Sequence, residues 1–541
     1  MKNIIKNIIP AAAVVLTMGL ASCDSLHVDP IDPNLVTEPT AEELFNKCYA
    51  NMALAGQTGP DGDSDVDGID GGTSGWVRQY WNANELTTDE AICGWGDAGI
   101  SGYDFNQYDS DHPMLKGLYY RLYTVIAFCN QYLEKFSDHD ATMTAEVRFL
   151  RALDYYELLD MFGNVGFVDH VGANKVQWTR KQLYDWIDKE VNEIEPSLSE
   201  ARPKSSSDPL YGRVDKASAW MLLARLYLNA QVYTGTPQWQ KALQEAKNVI
   251  NSSYKLYTTS KTDPDGQTWS AYQQLFMGDN GESGAYVEGI LPIKQDGQTT
   301  ASYGVTLFLM AGAQNANGII KKNGQTGNNT SENWGGNRCR SSLLAKFFPN
   351  NDAPAVSAYV MPSRAKDDRA IFDGQAPRTL TNDNTSDFQS GYETMKFNNW
   401  KTDGSAGHHS KFPDTDFFLF RVGEAYLIAA EADARINGGQ TSATGTSYIN
   451  ALRARAHAQT HNAAYSLDEI CDEWSREMYF EGVRRPTLIR FKRFGGDNNY
   501  TWPWKGGAFA GTRFAATRNI FAIPTSDLNV SKGALKQNPG Y

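Results

Sequence analysis

Two tracts, 56–110 and 258–415, interrupt an otherwise helical sequence, and any fold for this chain has to accommodate both. They are rich in Gly, Asn, Asp, Ser and Thr, and a stretch such as KKNGQTGNNTSENWGGNR (321–338) is punctuated too often for a regular element. Irregular segments of this length in a compact domain are either functional or disordered. The Trp and Tyr residues spaced through them favour function, because disordered linkers are poor in aromatics.

Helical periodicity fills the rest. Leu115, Leu118, Leu122, Val125, Cys129, Tyr132 and Phe136 fall on one face and predict a helix over 115–136. Val147, Leu150, Leu153, Tyr156 and Leu159 predict a second over 145–162, with Gly163 as its stop. Thr179 and Gln182 read as a capping box opening a third, which buries Leu183, Trp186, Ile187, Val191 and Ile194. An Ala- and Leu-rich helix is expected over 214–233. Thr236 then reads as the cap of a following helix, with Pro237 in its first turn and Trp239, Ala242, Leu243, Ala246, Val249 and Ile250 on its apolar face. Together these two make an antiparallel hairpin of about 35 residues, the size of a tetratricopeptide unit. No strict repeat recurs, so such a solenoid is degenerate; a plain helical bundle is the alternative. Helices return at 417–436, stopped by Gly438 and Gly439, at 447–458, and at 470–481 behind a Ser466/Glu469 capping box.

The N-terminus reads as an export signal. Lys2 and Lys6 precede an apolar stretch over 8–20, and Leu20, Ala21, Ser22 and Cys23 form a bacterial lipoprotein cleavage site. The stretch is shorter than the roughly 20 apolar residues that span a bilayer. Cleavage before Cys23 and its lipidation would leave the chain anchored to a membrane surface; an ordinary signal cut near Ala21, or an uncleaved anchor, are the alternatives. The formal charge of −13 makes nucleic acid a poor partner, since phosphate binding needs a basic face. Cys48, Cys93, Cys129, Cys339 and Cys471 are scattered without a CxxC, which argues for small buried hydrophobes, with at most one optional bridge whose partners the sequence does not assign.

Six ordered segments carry a family resemblance: AEVRFLRALDYYELLDMFGNV (145–165), GRVDKASAWMLLARLYLNA (212–230), FRVGEAYLIAAEADAR (420–435), INALRARA (449–456), EWSREMYFEGVRRPTLIRF (473–491) and the terminal IPTSDL to QNPGY. They resemble the successive signatures of the SusD/RagB family, and the resemblance runs from the lipoprotein site to Tyr541. It implies a mainly α fold: four degenerate tetratricopeptide-like helical pairs with a large irregular ligand-binding region. On that basis 1–22 is a signal peptide and 23–541 a single domain, with a helical scaffold at about 40–55, 112–257 and 416–482 and ligand-binding loops at about 56–111 and 258–415. The family implies a non-enzymatic, surface-exposed outer-membrane lipoprotein that binds starch-like or other neutral oligosaccharide or polysaccharide; the alternatives are another neutral glycan such as a fructan, or a nonbinding structural scaffold of the transporter complex. Its implied partner is a SusC-like TonB-dependent transporter, on which it sits as a lid.

Three further stretches, DGDSDVDGIDGGTSGWVRQYWNANELTTDEAICGW (61–95), LPIKQDG (291–297) and TWPWKGGAFAGT (501–512), are similar to segments of the family's founding, starch-binding member. Carried over by matching motif, the implied glycan contacts are Asp70, Arg78, Trp95, Tyr303 and Trp334. Two positions depart: Cys93 stands where the family has a second tryptophan, and Ala98 where it has an asparagine. The implied aromatic arc for helical α-glucan is therefore incomplete.

Chemistry supports a sugar site without the family. A pyranose has apolar C–H faces and a hydroxyl rim, which suits flat aromatics for stacking and Asp, Arg or Asn at the edges. Trp95, Tyr303 and Trp334 lie in hydrophilic stretches, although tryptophans are on average well buried. Asp63, Asp65, Asp67 and Gly68 resemble the start of a calcium loop, but Ser74 stands at its twelfth position, so the signal is weak and a solvated acidic turn is the simpler reading. No cofactor is otherwise implied. His408 and His409 are adjacent rather than four apart, and no HExxH, GxSxG, Walker or dinucleotide motif occurs.

Overall fold

The computed structural model describes residues 38–541, apart from 57, 58, 61, 497 and 498. The signal segment and Cys23 lie outside the described residues. The chain divides after Glu43: in the first unit, Thr40 and Glu43 exchange hydrogen bonds at a helix start, and Leu44–Tyr541 form the second.

Eight helices make the scaffold of the second unit: α1 (Pro113–Phe136), α2 (Ala141–Met161), α3 (Arg180–Ile194), α4 (Lys216–Leu228), α5 (Trp239–Asn251), α6 (Val422–Ile436), α7 (Ala443–Arg455) and α8 (Leu467–Met478). Each packs on the next from α1 to α7, and α8 closes on α6, the serial order of degenerate tetratricopeptide-like pairs. The capping boxes at Thr179/Gln182 and Ser466/Glu469 form as the spacing predicts. Pro113 occupies the first turn of α1, where its missing N–H costs nothing.

Several boundaries differ from the sequence expectation. The helix expected over 214–233 stops at Leu228 and resumes as a short piece, Ala230–Thr234. Thr236 does not cap α5, which starts at Trp239 after Gln238; the Thr236 N–H instead bonds Thr234 Oγ1 in the turn made by Gly235 at φ 79°. α7 begins at Ala443 behind Ser442 and ends before His457, not over 447–458. The largest error is at 417–421. Phe417–Arg421 is a strand buried on both faces, and a continuous apolar run does not by itself distinguish strand from helix.

Strands β1 (Ala91–Cys93) and β2 (Gly289–Ile293) pair antiparallel with β3 (Asn337–Cys339) and β4 (Phe417–Arg421), respectively. β4 runs directly into α6 and so fastens the second irregular tract to the scaffold. At that junction Arg421 meets Glu477 at 2.6 Å and Glu481 at 2.7 Å, Arg455 meets Glu288 at 3.1 Å, and Arg369 meets Glu473 at 2.7 Å, all out of solvent. Breaking one partner of a buried pair costs about 3–5 kcal/mol, so the network fixes the register between scaffold and loops.

The first tract, 56–111, is less loop-like than its composition implies. Trp76–Trp81 is helical and continues into a π-turn at Asn82–Leu86, with Trp76 and Trp81 fully buried. Their indole N–H groups donate to Asp154 (2.9 Å) and to the Phe480 carbonyl (3.0 Å). The five cysteines from Cys48 onward are free and buried, with no bridge among them. Among the described residues no helix is long and apolar enough to cross a membrane.

Candidate functional site

Pairing of β1 with β3, Ala91↔Cys339 through Cys93↔Asn337, sets the turn that leaves β1 beside the segment that enters β3. Trp95 lies on the first and Trp334 on the second, and their ring centroids are 6.5 Å apart. The Gly94 N–H donates to the Gly336 carbonyl (3.0 Å), and the Trp334 and Asn337 N–H groups donate to Ala311 and Gly312 (both 2.8 Å). Trp95 Nε1 donates to the Gly335 carbonyl at 2.5 Å and Trp334 Nε1 to the Glu332 carboxylate at 2.6 Å, so both indoles are fixed in orientation.

Tyr303 extends the row. It precedes the helix Thr306–Ala311, and its ring lies 6.2 Å from Trp334 and 5.2 Å from Phe412. Tyr303 and Trp334 pack over buried Ala301, Leu307, Ala311 and Phe412. Trp95, Trp334 and Tyr303 are each half-buried. They form an arc of three rings with one side on the core.

Arg78 closes one end. Its guanidinium lies 5.7 Å from the Trp95 ring and 5.0 Å from Phe308, over aromatic faces rather than against a carboxylate. Its Nε is buried without a hydrogen-bond partner, and burial pulls its pKa below the usual arginine value against the attraction of Asp97 and Asp70. Asp70 is exposed and caps the short helix Gly71–Ser74 through a 2.9 Å bond from the Thr73 N–H. Burial alone would raise its pKa; the Thr73 and Gly72 donors hold it below the usual carboxylate value. A β-carbon on Gly72 would lie 2.7 Å from an Arg78 guanidinium nitrogen and 3.1 Å from Asp70 Oδ1, so the two side chains flank that glycine. A depression lined by Gly71, Gly72 and residues 301–304 joins this corner to Tyr303.

The structure thus brings all five predicted residues, Asp70, Arg78, Trp95, Tyr303 and Trp334, into one surface. It adds Glu332 and Lys411, which sequence reasoning missed: the Lys411 ammonium bonds the Tyr303 hydroxyl, 4.7 Å from that ring's centroid, and stands 3.9 Å from Glu332. Glu332 could have been found two residues before Trp334. Lys411 carries no local signal.

Further positions singled out in the sequence have definite settings. Cys93 lies inside β1 opposite Asn337, 3% exposed, so no ring stands at 93 and the arc in this chain consists of Trp95, Trp334 and Tyr303. Asp65, read as part of a weak calcium loop, is ion-paired to Lys47 at 2.6 Å and to Arg121 at 2.7 Å. Ala98 is exposed in the turn beyond Trp95. His408 pairs with Asp414 at 3.1 Å while His409 packs 5.3 Å from Phe412, so the adjacent histidines serve different contacts.

A half-open row of aromatic rings edged by charged groups has the chemistry that suits a flat, hydroxylated ligand. Comparison with known proteins agrees on the class. The sequence model of the SusD family matches residues 257–541. The chain is 37% identical to the starch-binding protein SusD of Bacteroides thetaiotaomicron over 576 aligned residues, covering 99% of both chains. The chain belongs to the SusD family. Among solved structures it resembles a laminarin-binding SusD-like protein, with a TM-score of 0.63 at 21% identity, covering 93% of this chain and 99% of that one. It also resembles surface glycan-binding protein A of Bacteroides thetaiotaomicron in complex with laminarihexaose, with a TM-score of 0.63 at 18% identity, covering 92% and 98%. At these identities the solved structures speak for the fold.

Proposed function

We propose that this protein is a surface-exposed, non-enzymatic lipoprotein that captures a neutral glucan on the Trp95–Trp334–Tyr303 arc and passes it to a SusC-like TonB-dependent transporter. The observation that carries this reading is the arc itself: three half-buried rings in contact, two of them with their indole N–H groups tied down. Rings held in place lose little freedom on binding, so stacking contributes to affinity without an ordering cost. Arg78, Asp70, Glu332 and Lys411 supply hydroxyl partners at the rim. The starch-binding relative and the two laminarin-related structures support a neutral glucan, α- or β-linked, as the ligand class. Cys23 is the proposed acylation site and the outer membrane the proposed location.

Calorimetry of the soluble domain with maltooligosaccharides and laminarioligosaccharides tests the ligand. Binding without shortening of the sugar, lost in Trp334→Ala, is the expected result; no binding to either series overturns it. Fatty-acid labelling that persists in Cys23→Ser would overturn the anchor, and native pull-downs that repeatedly lack a TonB-dependent barrel would overturn the partner.

A further inference from the structure

The motif TWPWKGGAFAGT (501–512) plays no part in the arc, yet it builds a second group of aromatic rings at the surface. Trp504 lies 5.6 Å from Phe105 and 5.7 Å from Phe509, with Phe509 44% exposed and the other two rings half-buried. Trp504 adopts φ 68° and ψ 3°, a left-handed conformation that is a genuine outlier for a bulky residue. The turn that imposes it is closed by bonds from the Trp504 N–H to the Phe509 carbonyl (3.1 Å), from the Gly507 N–H to the Trp504 carbonyl (2.9 Å) and from the Thr512 N–H to the Lys505 carbonyl (2.8 Å). Gly506 and Gly507 also have positive φ, at 66° and 96°. Strain of this kind persists only where surrounding structure over-determines it. Its effect here is to hold an indole at the surface between two phenyl rings.

The indole is fixed as those of the arc are, by donation from Nε1 to a backbone carbonyl, that of Asn382, at 2.7 Å. Polar chemistry stands at its edge: Gln107 is exposed, and a β-carbon on Gly507 would lie 2.6 Å from its carboxamide nitrogen. The same loop that receives Trp504 also abuts the β1–β3 pair that carries Trp95 and Trp334. A β-carbon on Gly94, next to Trp95, would lie 3.2 Å from the Thr385 carbonyl, and Arg338 in β3 donates to the Asn384 (2.8 Å) and Thr385 (2.7 Å) carbonyls. The segment 382–385 thus touches Trp504 at one end and the residue before Trp95 at the other, and its backbone spans at most about 14 Å.

We propose that Phe105, Trp504 and Phe509 form a second stacking subsite for the same polysaccharide, reached across the 382–385 loop by a chain already seated on the arc. The occupant is a neutral glycan segment: the rings are preorganised, carry an amide rim and repeat the chemistry of the arc on the far side of the 382–385 segment. This inference rests on the glycan reading of the arc. It predicts length discrimination: a trisaccharide fills the arc alone, whereas a long chain touches both groups.

The test compares maltotriose and laminaritriose with a long soluble dextrin and laminarin, titrated into the wild-type protein, Trp334→Ala and Phe509→Ala. Phe509 is exposed, so its truncation leaves the fold intact; a thermal melt checks this, and Trp504→Phe supplies a second variant that keeps a ring. Phe509→Ala should weaken the long glycan by about threefold to tenfold, one stacking contact, while trisaccharide affinity stays unchanged. Trp334→Ala should weaken both lengths. If Trp334→Ala weakens binding but Phe509→Ala leaves the long glycan at wild-type affinity, or weakens both lengths equally, the second subsite is refuted and the arc stands. If the wild-type protein binds none of these glycans, the arc reading and the subsite fall together.

Discussion

Gly336 is pressed against the indole of Trp95: a β-carbon on Gly336 would lie 2.3 Å from Trp95 Nε1 and 2.4 Å from Cε2. The contact follows from the register of β1 on β3, which places the Gly336 carbonyl to receive the Gly94 N–H. Gly336 has no left-handed backbone to maintain, so close approach alone demands glycine there. Gly336→Ala should displace the indole from the Gly335 carbonyl, cost about 1–3 kcal/mol of stability as overpacking, and weaken glucan binding about tenfold. Calorimetry beside a thermal melt checks it; wild-type values in both would show that the seat of Trp95 is not fixed by this glycine.

Trp334→Ala separates stacking from packing. Burying a large apolar side chain against a sugar face is worth roughly 1.5–3 kcal/mol, which is one to two orders of magnitude in affinity. Because Trp334 is half-buried over Leu307 and Ala311, its truncation should cost less stability than the about 3–5 kcal/mol of a core tryptophan. Binding lost only together with a collapsed melt would identify it as a packing residue.

Arg78 offers an opposite signature. Its guanidinium faces two aromatic rings, and its buried Nε has no partner, so the fold bears a desolvation cost that a ligand hydroxyl or water would relieve. Arg78→Ala should leave the melting temperature unchanged or slightly raised and weaken glucan binding by about tenfold. Arg78→Lys should not rescue it, because a compact ammonium lacks the planar face that lies over Trp95. A large fall in melting temperature for Arg78→Ala would make it a structural cation.

Much of this was legible in the sequence because it is local. Capping boxes at Thr179 and Ser466, and the three-and-four spacing of α1 and α2, are set by residues within a few turns of one another. What escaped is non-local. Phe417–Arg421 becomes a strand only because Gly289–Ile293 is there to pair with it, and Trp76–Trp81 is core only because Asp154 and Phe480 receive its indoles. The arc was divided in the same way. Its rings could be named from motif and hydrophilic context, whereas Lys411 reaches Tyr303 from a distant loop, and the seating of Cys93 inside β1 depends on β3. The Trp504 group lies in a recognisable motif, but neither its left-handed backbone nor its seat on the Asn382 carbonyl has a sequence signature.

Stability should peak in mild acid, and the carboxylates give the sign. Burial raises Asp416 to about 7 from 3.8, against the hydrogen bonds from Tyr211 and the Gln295 N–H; burial likewise raises Asp104 and Glu393 to about 7. A carboxyl raised in the folded state contributes stability that is complete below its unfolded value and is lost as pH rises through 7. Glu477 behaves oppositely: burial would raise it, but Arg455, Arg421 and Arg369 hold it at about 2 against 4.5, so its contribution is complete above 4.5 and lost as pH falls through 2. His112, lowered from 6.5 by burial, and Lys396 and Lys505, lowered to about 8 by burial, oppose the acid-side gain, whereas Asp154, Glu157 and Glu85, raised by burial, add to it. The melting temperature should therefore rise by a few degrees from pH 8 to about 5 and fall below about 4. Asp416→Asn should flatten the slope between pH 4 and 7 whatever it does to the absolute value. Scanning calorimetry at fixed ionic strength decides it: a melting temperature that falls steadily from pH 7 to pH 4, or an unaltered slope in Asp416→Asn, would show that these buried carboxyls titrate well below pH 7 in the folded protein.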